Sequence, residues 1–352
     1  MSRLRFLPQT LAIGTLILAS LVAPAFSHAQ AGKPVPEKPK VRIAVGGKIG
    51  FFYLPVSVAE GLGYLKDEGL EPEFSDFAGG AKALQALVGG SADVTSGAYE
   101  HTVQMRAKGI ALKTFVLQGA YTDIALGIVK GKIPNYKSAA DLKGKKYGVT
   151  SPGSATDFFV KHQLIKAGLK ADDAQVIGIG QTAAAVAAAM HGELDAVSNV
   201  DPVMTELEMR GIVEIVADGR TPEGSQAIFG GTFPAGSLYA KEEFIKANPK
   251  TVQALTNAIV HALLWMQTAT PEQVLEVLPP AFVSSGNRDT VLAALQRTLP
   301  TYSRDGQVPK EGADTVLRVQ SEIDPAVRDA KINVANTYDN SFAQKALAAY
   351  AK

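Results

Sequence analysis

The sequence predicts an α/β protein of two lobes, with mostly parallel sheets, flanking helices and hinge crossovers. Three observations carry this reading. Strand-like and helix-like stretches alternate over most of the chain, the order that gives parallel sheets covered by helices on both faces. A unit of glycine turn, helix, second glycine turn and strand runs from Gly79 to Glu100 and recurs from Gly180 to Asp201. Within it Gly90 matches Gly192, Asp93 matches Asp195 and Ser96 matches Ser198, each pair 102 residues apart. Finally, 352 residues with 46% hydrophobic and 20% charged content suffice for two packed cores. Two like units facing one another leave a cleft between them.

The chain opens with a targeting segment. Arg3 and Arg5 precede the apolar run Leu11 to Ala23, and Ser27-His28-Ala29 offers small residues for cleavage, so 1–29 reads as a signal peptide. The run falls short of the about 20 residues that a comfortable membrane-spanning helix needs. The sequence has no cysteine, which excludes disulfides, thiol and iron–sulfur chemistry, and a lipid attached through a leader cysteine. Removing Arg3 and Arg5 from the 35 basic residues leaves 33 against 34 acidic, too even a balance to give a general field for nucleic acid. The expectation is an exported protein released into the periplasm.

Residues 30–40 read as a flexible Pro/Lys linker. The first lobe is expected at 41–126 and 232–352, and the second at 127–231. Val41 to Val45 is a short apolar strand that runs into a glycine loop, and Leu54 to Leu62 a helix with Pro55 in its first turn. Glu71 to Phe77 alternates as a strand. The first copy of the repeat then supplies a helix at 81–88 and a strand from Asp93. A helix at 99–107 and strands at 112–119 and 125–129 follow. In the second lobe, strands are expected at 147–150, 176–179 and 213–217, with helices at 157–167 and 204–210 and the echoed unit between. Ser154 followed by Asp157 has the spacing of a capping box. Thr232 to Ala240 reads as a strand returning to the first lobe. Beyond Asn248-Pro249 a long helix aligns Val252, Leu255, Ile259, Leu263 and Met266 on one face, and helices continue to the end.

In open α/β sheets ligands sit beyond the carboxyl ends of the strands. That rule selects 46–52, 78–81 and 97–100 in one lobe and 151–156, 180–182 and 199–202 in the other. Several of these loops open helices, whose free N–H groups favour an anion. Lys48 is a charge in the first loop, while Glu100 and Asp201 follow paired strands and would bind an amine or other donor if both face the cleft. Gly178-Ile-Gly180-Gln-Thr-Ala183 fits a relaxed dinucleotide fingerprint, but it is internal to its lobe and the matching first-lobe loop lacks it. No metal motif, Gly-x-Ser-x-Gly elbow or Walker A is present, so no catalytic residue, metal or cofactor is assigned.

The ordered motifs Pro55-x-x-Val58-Ala59-x-x-x-Gly63-Tyr64-Leu65-x-x-Glu68-Gly69-Leu70, Gly79-Gly80, Gly90-x-x-Asp93, Asp141-Leu142-x-Gly144-Lys145, Gly192-x-x-Asp195-Ala196 and Tyr338-Asp339-Asn340-Ser341-Phe342 resemble substrate-binding proteins of the nitrate/sulfonate/taurine ABC importers. They are similar to the pyrimidine-precursor binders as well. The resemblance implies a type II periplasmic-binding-protein fold that closes on a solute and delivers it to an ABC permease and ATPase, working as a monomer. A small organic anion (sulfonate, carboxylate or nitrate-like) is the first expectation; a pyrimidine, aromatic or amine-containing solute, or a sensor role, is the alternative. An enzyme on this scaffold is not expected. The expected ligand-binding residues are Gly47, Lys48, Phe51, Phe52, Gly79, Gly80, Ala81, Gly97, Tyr99, Glu100 and Tyr121 of the first lobe. Gly153, Ser154, Ala155, Thr156, Thr182, Asn199 and Asp201 complete the set from the second. Main-chain N–H groups at Gly80, Ala81 and 154–156 would hold an anionic group, and the aromatics would cover the body of the solute.

Overall fold

The computed structural model describes Met1, residues 34–284 and residues 287–351. Apart from Met1, the expected leader and residues 30–33 lie outside them. Ten strands are described: β1 (Arg42–Val45), β2 (Glu73–Asp76), β3 (Val94–Ala98), β4 (Leu112–Leu117), β5 (Ile124–Val129), β6 (Lys146–Val149), β7 (Gln175–Gly178), β8 (Ala196–Val200), β9 (Val213–Asp218) and β10 (Gly236–Lys241). They form two five-stranded sheets, ordered β2-β1-β3-β10-β4 and β7-β6-β8-β5-β9. In each, the fourth strand runs antiparallel to both neighbours, and β10 reaches the first sheet from beyond the whole of the second. β5 shows why it can sit inside a sheet. Its six residues, Ile-Ala-Leu-Gly-Ile-Val, are all buried, the continuous apolar run of a strand covered on both faces.

The repeat has a physical basis. Asp93 Oδ2 accepts the backbone N–H of Arg42 at 2.9 Å, and Asp195 Oδ2 accepts that of Lys146 at 2.8 Å. The two aspartate N–H groups return bonds to the carbonyls of Arg42 and Lys146. Each carboxylate therefore fixes where β3 or β8 begins against its parallel neighbour. The preceding glycines, Gly90 and Gly192, adopt φ of 82° and 72°, a left-handed conformation that an L side chain rarely takes.

The chain crosses between sheets twice, at 118–123 and 219–235. The first boundary, expected at 126/127, is corrected: β5 pairs with β8 from Ile124 onward, so 124–126 belong to the second sheet. The C-terminal helices also do more than complete the first lobe. Helix Lys310–Ile323 packs on both helix Glu100–Ala107 and helix Ala155–Lys166, and helix Arg288–Thr298 packs on helix Val203–Met209. Nor is the described part of the linker loose. Glu37 accepts the Lys250 and Thr251 N–H groups at the start of helix Pro249–Met266, and Lys38 Nζ lies 2.8 Å from Asp93. A short helix at Pro222–Phe229, which the sequence reading did not single out, fills the return crossover.

Burial works against the charge of Asp93, but bonds from Arg42 and Lys38 outweigh it and hold its pKa down to about 2. A depressed acid contributes stability above its unfolded pKa and loses it as pH falls through the folded one. Asp93→Asn is expected to cost about 2 kcal/mol at pH 7, with the deficit shrinking between about pH 4 and pH 2. Urea melts across that range check it; a pH-independent deficit would mean that the carboxylate's charge is irrelevant.

Candidate functional site

Loops at the carboxyl ends of the parallel strands meet along one seam between the lobes. Phe51 N–H donates to Asp201 O at 2.8 Å, and Ala81 N–H donates to Ser154 Oγ at 2.9 Å. Gln181 Nε2 donates to Gly46 O at 2.5 Å. Ser151 and Ser154 hydroxyls bond one another at 2.7 Å beneath this line. The lobes are therefore closed on each other.

Beside the seam lies a small cavity of ≈ 10 Å³, about the room one water needs. Its wall is aromatic, from Phe158, Phe159, Phe229 and Phe233, with Glu100, Thr122 and Gln320 as its polar members. Glu100 follows β3 as the first residue of helix Glu100–Ala107, and its side chain is buried with Oε2 unpartnered. Burial raises its pKa to about 8, so at neutral pH the group is held mostly as the uncharged acid. Gln320 Oε1 accepts from Gln104 Nε2 at 3.1 Å, leaving Gln320 Nε2 without a partner. The Glu100 Oε2 and the Gln320 Nε2, both buried and unpaired, present a carboxyl oxygen and an N–H donor to whatever occupies the aromatic cage. His101 turns the other way, to the Tyr239 hydroxyl at 3.0 Å, and burial lowers its pKa to about 4, keeping the ring neutral.

Of the residues expected from sequence, the structure gathers Gly47, Gly79, Gly80, Ala81, Ser154 and Gly153 at the seam, and Glu100 and Ala155 at the cavity. Others lie elsewhere. Lys48 Nζ pairs with Glu60 at 2.6 Å and stands 4.1 Å over the Phe74 ring, so its charge is used within the first lobe. Phe51 is core, near Phe282, and Phe52 packs edge-on against Tyr53. Tyr99 bonds Thr337 at 2.6 Å; it precedes Glu100 on one helix start, and adjacent helical residues do not share a face. Gly97 makes room for the Tyr239 ring, and Tyr121 faces an open groove with Pro300 and Arg304. Thr156 bonds Thr150, Thr182 caps helix Ala183–Met190, and Asn199 donates to Gly180 O. Ser154 does not close a capping box; Asp157 instead accepts from Gly153 N–H and Tyr147 OH.

Asp201 is the largest departure. It is fully buried and lies 3.3 Å from Arg220 Nη1, whose guanidinium also meets Asp218 at 2.8 Å. Burial disfavours the Arg220 charge, but Asp218, Asp201 and Asp123 prevail and raise its pKa. Asp123, in the first crossover, accepts the Asp201 N–H; burial and the Asp201 charge drive its own pKa well up. This network ties the end of β8 to both crossovers, so Asp201 is spent on the hinge. Sequence reading missed Arg220, Gln181, Gln320 and the four phenylalanines. Among the described residues no group of three or more His, Asp or Glu could hold a metal ion.

A profile of the NMT1/THI5 like family matches residues 52–274. A protein of Bordetella bronchiseptica RB50 with a solved structure is 46% identical, with a TM-score of 0.88 over 91% of this chain and 100% of that one. The alkanesulfonate-binding protein SsuA from Xanthomonas axonopodis pv. citri, bound to MOPS, has a TM-score of 0.65 at 18% identity, over 86% of this chain and 99% of its own. The periplasmic nitrate-binding protein NrtA from Synechocystis PCC 6803 has a TM-score of 0.65 at 15% identity, over 90% of each chain. The last two show a shared fold, the two-lobed fold of periplasmic binding proteins.

A raised acid binds its proton more tightly in the folded than in the unfolded chain. Glu100 therefore subtracts stability as pH rises from its ordinary 4.5 to about 8. Glu100→Gln is expected to gain on the native protein in melting temperature across that window. Parallel pH profiles would contradict a buried, unpaired carboxyl.

Proposed function

The chain belongs to the NMT1/THI5 like family, and we propose that it is a solute-binding protein of ABC-importer type. A small solute enters between the parted lobes, the lobes close on it, and the closed form hands it to a permease and ATPase at the inner membrane. Export on the leader 1–29 puts the protein in the periplasm as a monomer without a lipid anchor. It binds its solute and does not transform it. Ligand pockets usually enclose about 300–1,000 Å³, far above the ≈ 10 Å³ of the closed cavity, so binding requires the lobes to part or the phenylalanine wall to swing.

The unpaired Glu100 carboxyl in its aromatic cage carries the choice of solute. It supports a flat or apolar solute bearing an N–H donor, such as an aromatic amine or a nitrogen heterocycle. Beside a protonated amine Glu100 would ionise, releasing its proton to solvent, and form a charge-assisted bond where burial makes such bonds strong. The organic-anion reading has its own support. The Ala81 N–H is spent on Ser154 Oγ across the seam and comes free when the lobes part. Against a purely anionic solute, the Asp157 carboxylate already occupies the Gly153 N–H at the start of the second-lobe helix. A solute with an amine at the Glu100 end and an acid at the seam would use both.

Thermal shift over a panel of aromatic amines, nitrogen heterocycles, amino acids, alkanesulfonates, carboxylates and nitrate tests this reading. At a hundredfold excess over Kd, a binder adds about 2.7 kcal/mol by mass action, a shift of several degrees. An N–H-bearing aromatic should stabilise the native protein and lose at least tenfold in affinity against Glu100→Gln. Stabilisation by nitrate or an alkanesulfonate, equal in both proteins, would overturn the assignment of Glu100.

A further inference from the structure

The geometry points to Gln181 as a latch that holds the lobes closed, its carboxamide carried on the second lobe and seated in the 46–50 loop of the first. This rests on the reading above in one respect, that the lobes part to admit a solute.

Gln181 lies between β7 and helix Ala183–Met190, after Gly180, and its side chain is buried. It has no local task, because Thr182 supplies the helix cap. Its carboxamide instead crosses the seam, with Nε2 donating to Gly46 O. The receiving loop has the shape of an amide. Gly47 has φ of 113°, and a Cβ on either Gly47 or Gly50 would overlap the Gln181 carboxamide. The socket is held from within its own lobe: Gly46 N–H bonds Ser96 O, Gly50 N–H bonds Gly47 O, and Lys48 N–H donates to Asp76 at 2.7 Å. It therefore persists whether or not Gln181 occupies it.

The energetics suit a latch. A buried amide left unpaired costs much more than a paired one gains over water, so the carboxamide is either fully seated or fully solvated. The seated state favours closure by a modest amount, enough to shift a population without preventing release. This also gives the dinucleotide-like run Gly178 to Ala183 a use: its turn presents a side chain to the opposite lobe.

The chain has no cysteine, so two can be introduced for spin labels, at Lys82 on the first lobe and Glu193 on the second, both exposed. Distance distributions by pulsed electron resonance then report the open-to-closed ratio of the full-length mature protein. Gln181→Ala and Gly50→Ala should each raise that ratio, by about tenfold, and Gln181→Glu, which keeps the shape but removes the donor, should do likewise. The Gln181→Ala/Gly50→Ala double variant should open no further than Gly50→Ala alone, whose Cβ also meets Val200 of the second lobe at 3.2 Å, because both substitutions remove the same amide contact. Unchanged distances in Gln181→Ala and Gln181→Glu, or full additivity in the double variant, would overturn the latch. Lobes that open in Gln181→Ala but respond to no solute of the panel support the latch and overturn the solute-binding reading instead.

Discussion

The first sheet depends on one strand lent by a distant part of the chain. β10 enters the first sheet between β3 and β4, and β5 enters the second between β8 and β9, both antiparallel in otherwise parallel sheets. The first sheet cannot be completed without the chain crossing to the other lobe, where β5 to β9 form the second sheet from one continuous stretch, and back. Two crossovers therefore run side by side, and the lobes can tilt about them but cannot separate. Buried Arg220, bonded to Asp218 and facing Asp201, with Asp123 near by, sits where those crossovers meet. Removing one partner of a buried charge set leaves the others uncompensated, which typically costs 3–5 kcal/mol. Such a set pins the pivot while leaving the seam, held by a few hydrogen bonds, free to open.

That contrast sets the functional geometry. The hinge is charged and buried, with the Arg220 guanidinium bonded to Asp218 and Asp201, and the cavity next to it holds a carboxyl oxygen and an amide N–H that nothing in the described chain satisfies. Groups unpaired in a protein's interior are costly, and they are kept where a ligand completes them. The seam lies on the other side, its donors spent on the facing lobe. Solute capture then exchanges contacts between lobes for contacts with the solute, and the difference between the two decides how far closure is shifted.

Much of this was legible in the sequence. Asp93 and Asp195 stood out because a carboxylate after a glycine turn can take only a few backbone partners, all local in register. Glu100 was visible as an acid at the end of an apolar strand. Lys48 and Asp201 looked equivalent to it, yet their partners, Glu60 and Arg220, are set by tertiary packing and leave no mark in the spacing. Arg220, in Asp218-Gly-Arg, reads as an exposed turn until both crossovers close over it. Gln181 carries no charge or periodicity to single it out, and only the missing Cβ atoms of Gly47 and Gly50 show that something fills their loop. The phenylalanines left no mark either, because helical and loop periodicity does not tell a cavity wall from a packed interior.

Hydrogen exchange at the Phe51 and Ala81 amides reads solute-driven closure most directly, since both donate across the seam, to Asp201 O and Ser154 Oγ. With a stabilising solute at saturation, both amides should exchange more slowly than in the free protein. Equal exchange with and without the solute would mean that it binds somewhere other than between the lobes.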